Sequence, residues 1–195
     1  MESKHVFKRI SLLLLSLLAA SQLTACFPLI VAGAATGVAV SQDRRSTSVV
    51  WNDKQIESRI GDRVSAKFGS LSHVNITSFN RSVLLSGEVP DEATRTEVEK
   101  QARETQDVKQ VYNELAIRLP SSLSSRTADA ALTTKAKARM MDANRFSPLH
   151  VKVVSERGQI FLLGLVKQQE AKDATQLASQ TAGVEKVVTL FEYID

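Results

Sequence analysis

The chain contains one cysteine, Cys26, in 195 residues. A lone thiol excludes an intrachain disulfide, so the fold must rest on its hydrophobic core even in an oxidising compartment. Long apolar runs are equally scarce: the N-terminal one, Ile10 to Ala20, is too short to cross a bilayer as a helix. Charge of one sign is nearly missing too, because setting aside the first 25 residues leaves 22 Lys plus Arg against 20 Asp plus Glu. The formal excess falls from +4 to +2, which removes the main compositional support for a nucleic-acid partner. No P-loop, nucleophile elbow, zinc signature or dinucleotide fingerprint occurs. His73 and His150 have no Cys, Asp or Glu at ligand or triad spacing, and Glu97, Glu99 and Glu104 are interleaved with Arg95, Lys100 and Arg103 as on a solvated helix face. These absences point away from an enzyme, a metal centre and a bound cofactor.

What is present begins at the N-terminus. Lys4, Lys8 and Arg9 outweigh Glu2 and precede an apolar stretch built on Leu12 to Leu15, Leu17 and Leu18, the profile of a secretory signal peptide. Leu23-Thr24-Ala25-Cys26 resembles the lipobox of bacterial lipoproteins. That resemblance implies a diacylglyceryl group on the Cys26 thiol, cleavage before Cys26 and acylation of the new amine. The alternative is a signal anchor prolonged by Phe27 to Val40, although Ser21, Gln22, Thr24 and Pro28 interrupt such a continuation. Each buried methylene contributes about 0.8 kcal/mol, so several acyl chains would hold the protein almost permanently. Phe27 stands after the cysteine where an aspartate would signal retention, which by resemblance to enterobacterial sorting implies the outer membrane. The expected division is a signal peptide over 1–25 and a lipidated tether over 26–50.

The rest of the chain repeats itself. His73-Val74-Asn75-Ile76 matches His150-Val151-Lys152-Val153, and Val83-Leu84-Leu85-Ser86-Gly87-Glu88-Val89 matches Ile160-Phe161-Leu162-Leu163-Gly164-Leu165-Val166. Ile56, Ile60 and Val64 correspond to Leu132, Ala136 and Met140, and Val108 to Val111 corresponds to Val184 to Val187. Periodicity gives each unit the same reading. The four-residue spacing predicts helices from about Asp53 to Phe68 and Asp129 to Asn144. Alternation then predicts a hairpin, followed by a helix from near Asp91 or Gln168 to Thr181, and a last strand over Val108 to Leu119 or Val184 to Ile194. The order is αββαβ twice, an α+β fold in which each three-stranded mixed sheet carries two helices on one face. The units span 51–119 and 128–195, with a Ser-rich linker over 120–127.

Units of this order and length, with a Val-x-Leu-x-Gly-x-Val strand and an Asp-Val or Gly-Val pair before the last strand, resemble the BON domain. Two of them behind a lipobox resemble dual-BON-domain outer-membrane lipoproteins, and Leu132-Thr133-Thr134-Lys135, Val151-Lys152-Val153 and Phe161 to Val166 carry the likeness most clearly. The resemblance implies binding to anionic phospholipid through the first helix of the second domain, support of outer-membrane integrity, a periplasm-facing position with enrichment at division sites, and contact with the outer-membrane β-barrel assembly machinery. Family members carry a Trp just before the Leu-Thr-Thr-Lys stretch, where this chain has Ala131; Trp51 lies in the other unit.

The two copies differ in ways that bear on function. Asp53 to Phe68 has a net charge of +1, whereas Leu132 to Phe146, with Lys135, Lys137, Arg139 and Arg145 against Asp142, has +3. Lys135, Lys137, Arg139, Met141 and Arg145 are therefore the expected lipid-binding residues, against the plainer alternative of a solvated helix whose lysines only confer solubility. In the first unit Leu84, Ser86 and Glu88, with Glu114 and Arg118, give a mostly wet outer sheet face. In the second unit the outer face is Phe161, Leu163, Leu165, Leu190 and Ile194, which something must cover: the first domain, the tether, or a protein recruited by an adaptor.

Overall fold

Buried residues every fourth position draw the first helix into place. In the computed structural model, which describes residues 43–194, Ile56, Ile60 and Val64 are buried along α1 (Thr47–Phe68). The chain continues through β1 (His73–Phe79), β2 (Ser82–Val89), α2 (Glu92–Arg103) and β3 (Gln110–Ile117). The second unit repeats the order as α3 (Leu123–Ala143), β4 (Val151–Glu156), β5 (Gln159–Val166), α4 (Gln168–Ser179) and β6 (Lys186–Tyr193). Both sheets are three-stranded and mixed, in the orders β1-β2-β3 and β4-β5-β6, with the first pair antiparallel and the second parallel. The signal segment, Cys26 and the tether up to residue 42 lie outside the described residues.

The last strands, β3 and β6, are shorter at both ends than the expected Val108–Leu119 and Val184–Ile194, and two helix starts depart further from the sequence reading. Helix α1 starts at Thr47 rather than near Asp53, because Ser46 accepts a hydrogen bond from the Val49 amide and caps it. Helix α3 starts at Leu123 rather than near Asp129, because Ser122 caps it through the Ser125 amide at 3.2 Å. The linker therefore shrinks, and most of the Ser-rich stretch is helix.

Each hairpin closes with a two-residue turn whose residues both have positive φ: Asn80 at 52° and Arg81 at 67°, then Arg157 at 51° and Gly158 at 71°. A buried aspartate on the preceding helix secures each turn. Asp53 accepts from the Asn80 amide at 2.8 Å, the Arg81 amide at 2.7 Å and the Ser78 hydroxyl at 2.7 Å. Its counterpart Asp129 accepts from the Arg157 and Gly158 amides, each at 3.0 Å. The central strands also need Gly87 and Gly164, since a Cβ there would lie 2.0 Å from the His73 carbonyl oxygen and 2.5 Å from that of His150.

The helices of each unit cover one face of its sheet. Ile56, Ile60, Val64, Val98 and Ala102 meet Val83, Leu85, Val89, Val111 and Leu115 in the first. Leu132, Ala136, Met140, Ala174 and Leu177 meet Val153, Ile160, Leu162 and Val166 in the second. The opposite faces of the two sheets meet each other in a third core of Phe79, Leu84, Phe161 and Leu163, bordered by Tyr112, Val154, Leu165, Val188 and Leu190. The order of layers is helices, sheet, sheet, helices.

This seam corrects the wet face expected for the first unit: Leu84 and Glu88 are 0% exposed and Ser86 is 1% exposed. Alternation identifies which residues share a face, but only the apolar partner sheet decides that the face is dry. The same contact answers what covers the second sheet. Phe161 and Leu163 are buried against the first domain, Leu165 and Leu190 border that core, and Ile194 is half-buried at the end of β6 with its amide donating to the Val166 carbonyl.

Polar bonds rim the seam and fix its register. Asn75 donates to Glu156 at 2.8 Å, Asn80 to Glu192 at 2.8 Å, and Arg157 to the Gly87 carbonyl at 2.7 Å. The last part of the expected tether, residues 43–45, clasps both domains. Arg44 forks onto Glu170 at 2.6 and 2.8 Å and donates to the Leu165 carbonyl at 2.8 Å. Arg45 pairs with Asp43 and Asp53, each at 2.8 Å, and its guanidinium stacks 3.9 Å above the Phe79 ring.

Candidate lipid-facing surface

Helix α3 presents its apolar stripe of Leu132, Ala136 and Met140 to the core, which turns the residues between them outward. Leu123, Thr127, Ala130, Thr134, Ala138 and Met141 recur at three- or four-residue intervals and all are exposed. Leu123 is 80% and Met141 63% exposed, so the two ends of this ridge are large and apolar and its middle is small. Lys135 and Lys137 flank the ridge. Among the described residues neither lysine has an ion-pair or hydrogen-bond partner.

The five residues expected to bind lipid divide under this geometry. Lys135, Lys137 and Met141 stand free on the outer face. Arg139 is exposed and donates to the neutral Gln180 side chain at 3.2 Å, so its charge is uncompensated. Arg145 is turned toward α4, where Asp173 at 3.1 Å neutralises it and Gln176 accepts a second bond. It belongs to the support of the site more than to the site.

The equivalent helix of the first domain is different in kind. On α1, Lys54 pairs with Glu57 at 2.8 Å and Lys67 with Glu97 at 2.7 Å, while Arg59 donates to Gln55 and Arg63 to Thr105. Both lysines of α1 are thus ion-paired and only its two arginines stay uncompensated, whereas Lys135 and Lys137 on α3 are free. Trp51 lies on the first part of α1 and is 66% exposed, remote in sequence from the α3 ridge.

Two further polar groups belong to the seam. At the clasp, the Arg44 guanidinium, against the opposing cost of burial, together with the Lys167 amide, pulls the Glu170 carboxyl down to about 2. Near it, Lys152 reaches Glu57 at 3.4 Å, and burial holds its ammonium below the usual lysine range.

At the other end, strand pairing sets His73 opposite Glu88, with Nδ1 3.0 Å from the carboxylate, and β4 of the second domain brings Glu156 to them. Burial, with Glu88 nearby, raises the Glu156 carboxyl; burial of Glu88 is outweighed by the Ser121 amide and His73, which lower it. Sequence spacing gives His73 no acidic neighbour, because one partner lies across a hairpin and the other in the second repeat.

Comparison with known proteins gives these surfaces a context. The family model described as BON domain matches residues 52–118 and 128–195. The chain is 34% identical over 175 residues to the outer membrane lipoprotein DolP of Haemophilus influenzae, covering 89% of this chain and 91% of that protein. It is 26% identical over 154 residues to a 21 kDa hemolysin of Actinobacillus pleuropneumoniae, covering 78% of this chain and 79% of the hemolysin. Among solved structures, CdsD, a structural protein of the type III secretion system of Chlamydia trachomatis, aligns at 12% identity with a TM-score of 0.31, over 72% of this chain and 92% of that one.

Proposed function

This chain belongs to the BON domain family, and from that premise we propose that it is a non-enzymatic outer-membrane lipoprotein, anchored through Cys26, whose helix α3 binds anionic phospholipid headgroups and thereby supports outer-membrane integrity. The observation that carries the reading is the outer face of α3, where Lys135 and Lys137 have no partner and flank a ridge ending in exposed Leu123 and Met141. Each basic residue near an anionic surface contributes about 1 kcal/mol, so two lysines and Arg139 supply about 3 kcal/mol. Such an affinity is weak for a free protein and shows only at high lipid concentration. For a chain already tethered by acyl groups it acts at high effective concentration and selects the lipid environment in which the protein rests.

The burial of Phe161 and Leu163 bears on the adaptor alternative, since a protein partner such as the β-barrel assembly machinery must use a surface outside the seam. The test uses unacylated Cys26→Ser protein and flotation with phosphatidylglycerol or phosphatidylcholine vesicles. Reversing Lys135 and Lys137 to Glu should weaken phosphatidylglycerol binding by at least about 30-fold, from about 1 kcal/mol per removed charge. Reversing Lys54 on α1 should change little. Unaltered binding in the Lys135, Lys137 double variant refutes the site. In cells, that variant should fail to restore barrier function where the parent chain restores it.

A further inference from the structure

We propose that His73, Glu88 and Glu156 form a binding site for one divalent ion of the zinc class, which would cross-link the two domains at the end of their seam. One ligand atom from each residue lies within 4.8 Å of the other two. Ligands held about 2.0–2.2 Å from such an ion lie no more than about 4.3 Å apart, so side-chain movements of about 1 Å or less complete the geometry. The donor set of one imidazole and two carboxylates suits zinc-like ions better than magnesium or calcium, which take oxygen ligands almost exclusively.

Burial makes the cluster more than a meeting of surface charges. Glu88 is 0% and Glu156 2% exposed, and carboxylates removed from water require a partner. Glu88 Oε1 has no accessible surface and accepts no hydrogen bond. The nearest cation, the Arg157 guanidinium, stands 3.7 Å from that oxygen and spends its short bond on the Gly87 carbonyl at 2.7 Å. A dication shared by two carboxylates and a neutral imidazole is charge-balanced, which leaves Arg157 to its backbone bond.

The surroundings are arranged as a support for ligands. Asn75 donates to Glu156 Oε2 at 2.8 Å and the Ser121 amide to Glu88 Oε2 at 3.1 Å, fixing both carboxylates from behind. A cleft of about 340 Å³ is lined by His73 and Glu156, two of the three ligands, with Asn75 and Asp129 beside them, and opens the cluster to solvent on that side. The cluster is not a by-product of duplication. In the second copy Leu165 replaces Glu88, and His150 faces Glu170 instead.

The test is titration of full-length, chelator-treated protein in detergent micelles with zinc chloride. Calorimetry should give one zinc per chain, and the thermal midpoint should rise when zinc is added. His73→Ala and Glu156→Gln should each weaken binding by about tenfold or more, while His150→Ala should bind as the parent does. X-ray absorption of the zinc-loaded parent protein should show one imidazole nitrogen among oxygen ligands, which tests the site even if a variant folds poorly. Absence of zinc binding in the parent protein, binding within about twofold of the parent value in His73→Ala, or a fully aqueous zinc shell overturns the proposal. So does a seam whose stability follows pH alone and ignores zinc.

Discussion

Removing the clasp between Arg44 and Glu170 should cost the protein about 3 kcal/mol at neutral pH. Exposed ion pairs contribute about 0–1 kcal/mol, so the size of this effect depends on geometry. Here the pair is bidentate, the side chains are 22% and 16% exposed, and Arg44 also satisfies the Leu165 carbonyl. A carboxyl held at about 2 instead of 4.5 favours its charged form in the folded protein by about 3 kcal/mol. The perturbations are Arg44→Ala and Glu170→Gln, the latter keeping an acceptor for the Lys167 amide that caps α4.

The assay is thermal unfolding of the full chain in detergent, where about 2–4 °C is lost per kcal/mol for a protein of this size. Each variant should therefore melt about 6–12 °C below the parent, and the double variant should fall no further than the worse single one. Because the folded carboxyl is depressed, its contribution is complete above the unfolded value near 4.5 and is lost as pH falls toward 2. The gap between parent and Glu170→Gln should be constant above pH 5, narrow below it and close near pH 2. A gap under about 0.5 kcal/mol at pH 7, or one that persists at pH 2, refutes the reasoning.

Two other substitutions test the architecture. Phe161→Ala empties the centre of the seam and should cost about 3–5 kcal/mol in thermal unfolding, with both helix-covered cores intact by circular dichroism; a loss under about 1 kcal/mol would mean that the sheets do not rest on each other. Asp129→Ala leaves the Arg157 and Gly158 amides without their acceptor and should cost about 2–3 kcal/mol, with accelerated hydrogen exchange at the β4-β5 turn; unchanged exchange there would contradict the role assigned to Asp129.

The repeat made much of the fold legible. Ile56, Ile60 and Val64 and their counterparts Leu132, Ala136 and Met140 mark buried helix faces by spacing alone, and the alternation of Val83, Leu85 and Val89 marks the core side of a strand. What escaped depended on contacts between repeats. Glu88 reads as a surface residue because nothing within its own domain covers it, and His73 and Glu156 belong to one cluster only after the sheets pack. Asp53 and Asp129 look like ordinary acidic residues near helix starts, although their equivalence across the duplication is the signal that could have identified them. On α3 the count of basic residues was legible, but which charges are free was not: Arg145 is spent on Asp173, while Lys135 and Lys137 are unpartnered among the described residues.

The most direct test of the lipid-binding reading is a titration of the unacylated protein with phosphatidylglycerol micelles, followed by backbone amide NMR shifts. Shifts should concentrate on the outer face of α3, from Leu123 to Met141 and including Lys135 and Lys137, with α1 and the seam unaffected. Shifts of equal size on α1, or none on α3 while the protein binds, would contradict it.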